Sequence, residues 1–145
     1  MDPTKFKLQY SHKWIDHPLQ IITKINDRII NIDVSGKNEI IIDKTIKLDK
    51  GKHILSLEIN GKNEANTSVD AQGNIVIDTL VTIKSLMIDE IEILPLMYNA
   101  SYLQTFYINN SPDECLHKLT EIGYNGTWEF KIETPLYDWL LNILF

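Results

Sequence analysis

The stretch DKGKHILSLEINGKN, Asp49–Asn63, decides the fold class. Asp49-Lys50-Gly51 reads as a turn, because glycine adopts backbone angles other residues resist and aspartate bonds its own backbone. Ile54, Leu55, Leu57 and Ile59 then mark a strand, and Asn60-Gly61, a strong turn dipeptide, closes it. Apolar residues at nearly every second position, with a turn at each end, describe a strand that lays one face on a core.

Reading outward from there gives more of the same. Toward the N-terminus, KFKLQY (Lys5 to Tyr10) places Phe6, Leu8 and Tyr10 on one face. LQIITKI (Leu19 to Ile25) turns at Asn26-Asp27 into RIINIDV (Arg28 to Val34), and Ser35-Gly36-Lys37-Asn38 turns again into EIIIDKTIKL (Glu39 to Leu48). Toward the C-terminus, residues 62–72 are polar and loop-like. After Gly73, IVIDTLVTI (Ile75 to Ile83) and LMIDEIEIL (Leu86 to Leu94) are expected as two further strands. Isoleucine is the commonest residue, and β-branched side chains suit a pleated surface. Roughly seven strands with turns about every 8 to 12 residues predict an antiparallel β-sandwich of jelly-roll or immunoglobulin-like type.

Past Pro95 the pattern changes. Residues 97–110 carry Tyr98, Tyr102, Phe106 and Tyr107 without a firm period, and leave room for one strand. Ser111, Pro112, Glu114 and Gly123 fit an N-cap, a first-turn proline, a capping box and a C-terminal stop, so a short helix is expected over residues 111–123 with Cys115, Leu116 and Leu119 on one face. Asn125-Gly126 turns into TWEFKIE, where Trp128, Phe130 and Ile132 alternate with Glu129, Lys131 and Glu133. Thr134-Pro135 then opens a last helix, with Leu136, Trp139, Leu140, Ile143 and Leu144 as an apolar stripe that Tyr137, Leu141 and Phe145 extend around the cylinder. Only Asp138 and Asn142 make a wet edge. Such a helix must lie against protein, either its own sandwich or another subunit. Residues 1–96 are expected to form the sandwich core, and residues 97–145 to complete the same domain with the aromatic excursion, short helix, strand and C-terminal helix.

Composition limits function. The 145 residues carry a net charge of −6 with Arg28 as the sole arginine, so the electrostatic term that nucleic-acid binding needs is missing. The N-terminus has no apolar core for a signal peptide, no stretch approaches a membrane span of roughly 18 apolar residues, and the last helix has no basic face for anionic lipid, so no membrane insertion is expected. The expected compartment is a cytosol, or a particle assembled in one.

No residue set announces a reaction. Cys115 stands alone and sits two positions from His117; His12, His17, His53 and His117 have no metal-ligand spacing. Asp78, Asp89, Glu90 and Glu92 supply carboxylates for a hydrolase, but nothing marks one as a desolvated acid. Asp70, Asn74 and Asp78 offer oxygen to Ca2+ without a recognisable calcium loop, so the expectation is no cofactor and no enzyme. Aromatic rings can stack on sugars. Trp14, in the polar stretch SHKWIDH, and Tyr98, Tyr102 and Tyr107 are the rings available for that, Trp128 and Trp139 being on apolar faces.

Two resemblances follow. Gly51–Lys62 and SLMIDEIEI (Ser85 to Ile93) resemble late strands of jelly-roll carbohydrate-binding modules, some calcium-dependent, which implies glycan binding, with a host-surface glycan as partner. GYNGTWEFKIETPLYDWLL (Gly123 to Leu141) resembles the closing G-x-N-G-x-W…P-x-Y-x-W-L-L of proteins from marine and other tailed bacteriophages, where an I-D-x-I-x-I strand also comes earlier. The second likeness implies a virion component: a capsid decoration, tail or fibre-associated subunit whose partners are other virion subunits or itself. On that expectation Trp139, Leu140, Ile143, Leu144 and Phe145 anchor the protein in the assembly, and Trp128 supports them from the adjoining strand.

Overall fold

A computed structural model describes residues 2–145. In chain order the strands are β1 (Asp2–Lys13), β2 (Gln20–Ile25), β3 (Arg28–Asp33), β4 (Glu39–Leu48), β5 (Gly51–Asn60), β6 (Thr67–Val69), β7 (Ile75–Asp78), β8 (Leu80–Ile88), β9 (Ile91–Glu92), β10 (Gln104–Ile108), β11 (Cys115–Leu116), β12 (Glu121–Ile122) and β13 (Gly126–Thr134). The helix α1 (Leu136–Leu144) follows, and short 3-10 turns occupy Glu64–Asn66, Leu94–Tyr98 and Ser101–Leu103.

The strands form an antiparallel β-sandwich. One sheet has the order β12-β8-β1-β4 with β9 paired to β8, the other the order β11-β10-β13-β5-β2-β3, and β6 and β7 pair with each other as a separate ribbon. Register explains the core. Phe106, Trp128, Leu57 and Thr23 lie in one cross-strand row, and Gln104, Phe130, Leu55 and Ile25 in the next. From the facing sheet, Phe6, Leu8 and Tyr10 of β1 meet them, flanked by Ile42 and Ile46 of β4 and Val81, Ile83, Leu86 and Ile88 of β8. These side chains are enclosed in one continuous cluster, the arrangement that period-two alternation on both inner faces dictates. Segments from residues 97–145 enter both sheets: β10 and β13 sit inside one, and β12 edges the other.

Two local expectations are corrected. The stretches read as strands Ile75–Ile83 and Leu86–Leu94 divide elsewhere: β7 stops at Asp78, and β8 runs unbroken through Lys84 and Ser85 to a turn at Asp89-Glu90, both residues at positive φ. The cause is a bulge. β1 pairs Gln9 with Ser85 and Tyr10 with Ile83, so Lys84 is the extra residue and the inward parity jumps from Val81 and Ile83 to Leu86 and Ile88. That jump in one strand imitates a boundary between two.

The short helix over residues 111–123 is absent; that segment contributes β11 and β12 instead. Long-range bonds hold it extended: Leu119 N donates to Gln104 Oε1 at 2.6 Å, Trp128 Nε1 donates to the Leu119 carbonyl at 2.9 Å, and Phe106 pairs with Leu116. A helix of that length is marginal alone, and Leu116 is exposed here, so capping signals had little burial to reinforce them.

Candidate assembly site

The site is built where β13 runs out of neighbours. β10 begins at Gln104, opposite Phe130, so residues 131–134 of β13 keep β5 on one side and lack β10 on the other. The 3-10 turn Ser101–Leu103 and α1 pack there instead. Thr134 Oγ1 donates to the Asp49 carbonyl at 2.7 Å, tying the strand end across the sheet before the chain enters α1. Pro135, expected with Thr134 to open the helix, is the N-cap, and Leu136 starts the helix.

Placed at about 100° per residue, α1 has two apolar faces. The inner one carries Leu136 and Trp139, both buried, with Leu140 and Ile143 half-buried against the core. Between this face and the sheet lies a cleft of about 540 Å3 with Leu103, Ile132 and Trp139 in its walls and Tyr102, Lys52 and Lys131 at its mouth. The outer face carries Tyr137, Leu141, Leu144 and Phe145, which are 70%, 58%, 49% and 96% exposed. The two stripes are centred roughly 140° apart on the cylinder, separated on one side by Asp138 and Asn142. One small sandwich covers one face of the helix and leaves the other in water.

The residues expected at an interface therefore divide. Trp128 has no exposed surface, lies 5.9 Å ring to ring from Phe130 and offers nothing to a neighbour directly. Trp139, Leu140 and Ile143 are used on the protein's own core, and Leu144 and Phe145 point outward. Tyr137 and Leu141 complete that outward stripe; their signal in the sequence is the i, i+4, i+7 spacing of Tyr137, Leu141 and Leu144, a second period behind the stronger one through Trp139.

The aromatics singled out for sugar stacking do not converge. Trp14 is half-buried: its Nε1 donates to the Gly36 carbonyl at 2.8 Å, and Gly36, at φ +73°, leaves so little room that a Cβ there would stand 3.0 Å from the indole. It fastens the β1–β2 loop to the β3–β4 loop. Tyr98 and Tyr102 are exposed on the 3-10 turns beside α1, toward the opposite end of the sandwich, and Tyr107 is half-buried on β10 between Thr127 and Cys115.

The carboxylates are likewise dispersed and occupied. Asp89 Oδ1 accepts from Lys5 N at 2.9 Å, and Glu92 Oε2 from Leu86 N at 2.8 Å. Asp78 pairs with Lys62 at 2.7 Å at the other end of β8. Burial alone would raise the pKa of Asp78, but the hydrogen bonds from Lys62 and Thr67 and the Lys62 charge outweigh it, and the net shift is downward. Asp70 Oδ1 accepts from Gln72 N and Asn74 N, so it closes its own turn. Cys115 is exposed on the edge strand β11, and His117 Nδ1 contacts the Gln104 carbonyl at 2.9 Å. Among the described residues no helix is long and apolar enough to cross a membrane, and no group of three or more His, Cys, Asp or Glu is placed to hold a metal.

No protein-family model, curated protein or solved structure matches the chain.

Proposed function

We propose that the protein is a non-enzymatic assembly subunit, of the kind built into a phage particle, which works by burying the outer face of α1 against a neighbouring subunit. The observation that carries this reading is that α1 is already docked through Leu136 and Trp139 and still leaves Tyr137, Leu141, Leu144 and Phe145 exposed in a continuous stripe. A helix folded only for its own core has no reason to carry large apolar residues on the far side; a contiguous patch of that kind marks an interaction surface. Tyrosine and leucine on a helix held rigidly by its other face lose little freedom on contact, which favours tight burial. The resemblance of Gly123–Leu141 to proteins of tailed phages supplies the context.

The test is the mass of the protein in solution over a range of concentrations, alone and with purified particles, for the native chain and for Tyr137→Ser/Leu141→Ser/Leu144→Ser. The expected result is association of the native chain with itself or with particles, lost in the triple variant while the thermal transition stays in place. A native chain that stays monomeric and fails to co-sediment with particles would overturn the proposal.

A further inference from the structure

Two apolar patches remote from the outer face of α1 are complementary to each other. The first is the β6–β7 arm, whose strands, among the described residues, pair only with one another. Val69, Ile75, Val76 and Ile77 are all exposed on it, and three consecutive apolar residues in a strand present apolar surface on both faces of the ribbon. A lone two-stranded ribbon is marginal in water, and β-branched residues favour strands mainly through packing on neighbours, which this ribbon lacks.

Its root, in contrast, is tightly held. Asn66 is fully buried and its Nδ2 donates to the carbonyls of Ile15 and His17, each at 2.9 Å. Thr79 donates to the Asn66 carbonyl through both N and Oγ1, and Thr67 Oγ1 donates to Asp78 Oδ1 at 2.8 Å. An arm fixed at its base and apolar along its length is preorganised for contact.

The second patch is the seam between β3 and β4. These strands follow one another in the chain but edge opposite sheets, and among the described residues neither has a strand on its outer side. Ile29, Ile32, Val34 and Ile41 are exposed along them, and a cavity of about 460 Å3 opens between the two edges, lined among others by Asn31, Ile32, Lys37, Ile41 and Lys44. Unpaired edges present rows of free backbone N–H and C=O groups, a template for another strand.

Charge matches the two patches. From Asn63 to Ile83 the chain carries Glu64, Asp70 and Asp78 and no basic residue; Asp78 is paired with Lys62, which leaves Glu64 and Asp70. Along Arg28–Leu48, Arg28, Lys37, Lys44 and Lys47 take part in no ion pair among the described residues. Of the acids in that stretch, Glu39 is paired with Lys84, which leaves Asp33 and Asp43 against those four cations. We infer that the β6–β7 arm of one copy of this chain enters the β3–β4 seam of a second copy and adds to its strand edges. Donor and acceptor lie on the same molecule and bear opposite charge, so a second copy supplies both halves. The contact is heterologous and propagates head to tail unless its rotation closes a ring. It rests on residues other than the α1 stripe.

Sedimentation velocity on the full chain tests this. The native protein should grow past a dimer as concentration rises. Ile75→Lys/Ile77→Lys on the arm, or Ile32→Lys/Ile41→Lys at the seam, should weaken association by about tenfold or more. An equimolar mixture of the two variants should stop at a dimer, because the mixture holds one intact arm for one intact seam. Should a lysine pair disturb folding, judged by circular dichroism, Lys37→Glu/Lys44→Glu gives the same weakening at exposed positions. Association unchanged by arm and seam variants, or a mixture that forms no complex, overturns the inference. Association abolished by Leu141→Ser but untouched by the arm variants assigns the contact to α1, and this inference fails while the helix proposal stands.

Discussion

The β5–β13 ladder and the β6–β7 arm are written in the same apolar, strand-forming residues and have opposite fates. In the ladder, nine consecutive register pairs run from Gly126↔Ile59 to Thr134↔Gly51, and the inward side chains Trp128, Phe130, Leu55, Leu57 and Ile59 are enclosed. In the arm, three register pairs join Thr67–Val69 to Ile75–Asp78, and the apolar side chains stand in water. The difference is the second layer. A strand buries its face only where another sheet or helix lies above it, and the arm has none among the described residues. Apolar content therefore says that a segment wants burial; topology says whether its own molecule provides it.

The comparison breaks most sharply at Trp128. Trp128→Ala removes the largest fully enclosed side chain and leaves the Leu119 carbonyl without its indole donor. The expected cost is about 3–5 kcal/mol, read as a fall in the urea midpoint, whereas Val76→Ala on the arm should fall within about 0.5 kcal/mol of native. Comparable losses at the two positions would mean the arm is packed after all. Gly126→Ala probes the same ladder from the backbone. At φ +149° a Cβ there would collide with the Tyr107 carbonyl, and rigid strands on both sides prevent its retreat, so about 3 kcal/mol of destabilisation is expected in the same urea measurement.

At the arm's root the decisive group is Lys62. Its ammonium, on a side chain only 11% exposed, pairs with Asp78 and donates to the carbonyls of Thr79 and Gly123. Lys62→Met would strand one partly buried carboxylate and two carbonyls, at a cost of roughly 2–3 kcal/mol after allowance for the solvent that reaches Asp78. Limited proteolysis should then cut between Asn66 and Thr79 far faster than in the native chain. Native-like resistance would show that the root is held by Asn66 and Thr79 without the ion pair.

How much of this was legible depended on whether local pattern and tertiary packing agreed. At β5, β13 and α1 they agree: alternation, turn residues and helical spacing all point to the burial observed. At residues 111–123 they conflict, because Ser111, Pro112 and Glu114 are good helix-starting residues while Gln104 and Trp128, distant in sequence, bond the backbone of Leu119 and keep it extended. Along β8 the pattern was present but shifted by the single bulged Lys84. The inner stripe of α1 could be read from its spacing; which residues would remain uncovered could not, since that depends on where β10 begins. The seam between β3 and β4 left no trace either, because strand order follows from pairings that no local period encodes.

The smallest expected effect concerns a part of the interior that is not apolar. Tyr10 and His12 of β1, Thr23 of β2 and Asp33 of β3 are buried, and Tyr10 Oη, His12 Nδ1, Thr23 Oγ1 and Asp33 Oδ2 have no hydrogen-bond partner among the described residues. Burial holds His12 below its ordinary pKa of 6.5, with the nearby Asp33 charge opposing but not cancelling the shift; burial, then Asp33, raises Tyr10 above its ordinary 10.0, so it stays protonated throughout this range. The sign for His12 follows from linkage: the unfolded chain binds the proton more readily than the folded one, so the contribution is fully present above pH 6.5 and is lost as pH falls through the depressed folded value. His17, whose hydrogen bonds to the Gly61 carbonyl and then to Asp16 hold its pKa above 6.5, titrates with the opposite sign, so the measurement is made in a His17→Gln background, where the thermal midpoint should decline below pH 6.5 before carboxylates such as Asp78 begin to titrate. His12→Gln should flatten the decline. If the midpoint in that background instead rises as pH falls just below 6.5, protonated His12 is being stabilised by Asp33 more than burial disfavours it, and the interior of the sandwich is wetter at this corner than the enclosure of Tyr10 and His12 implies.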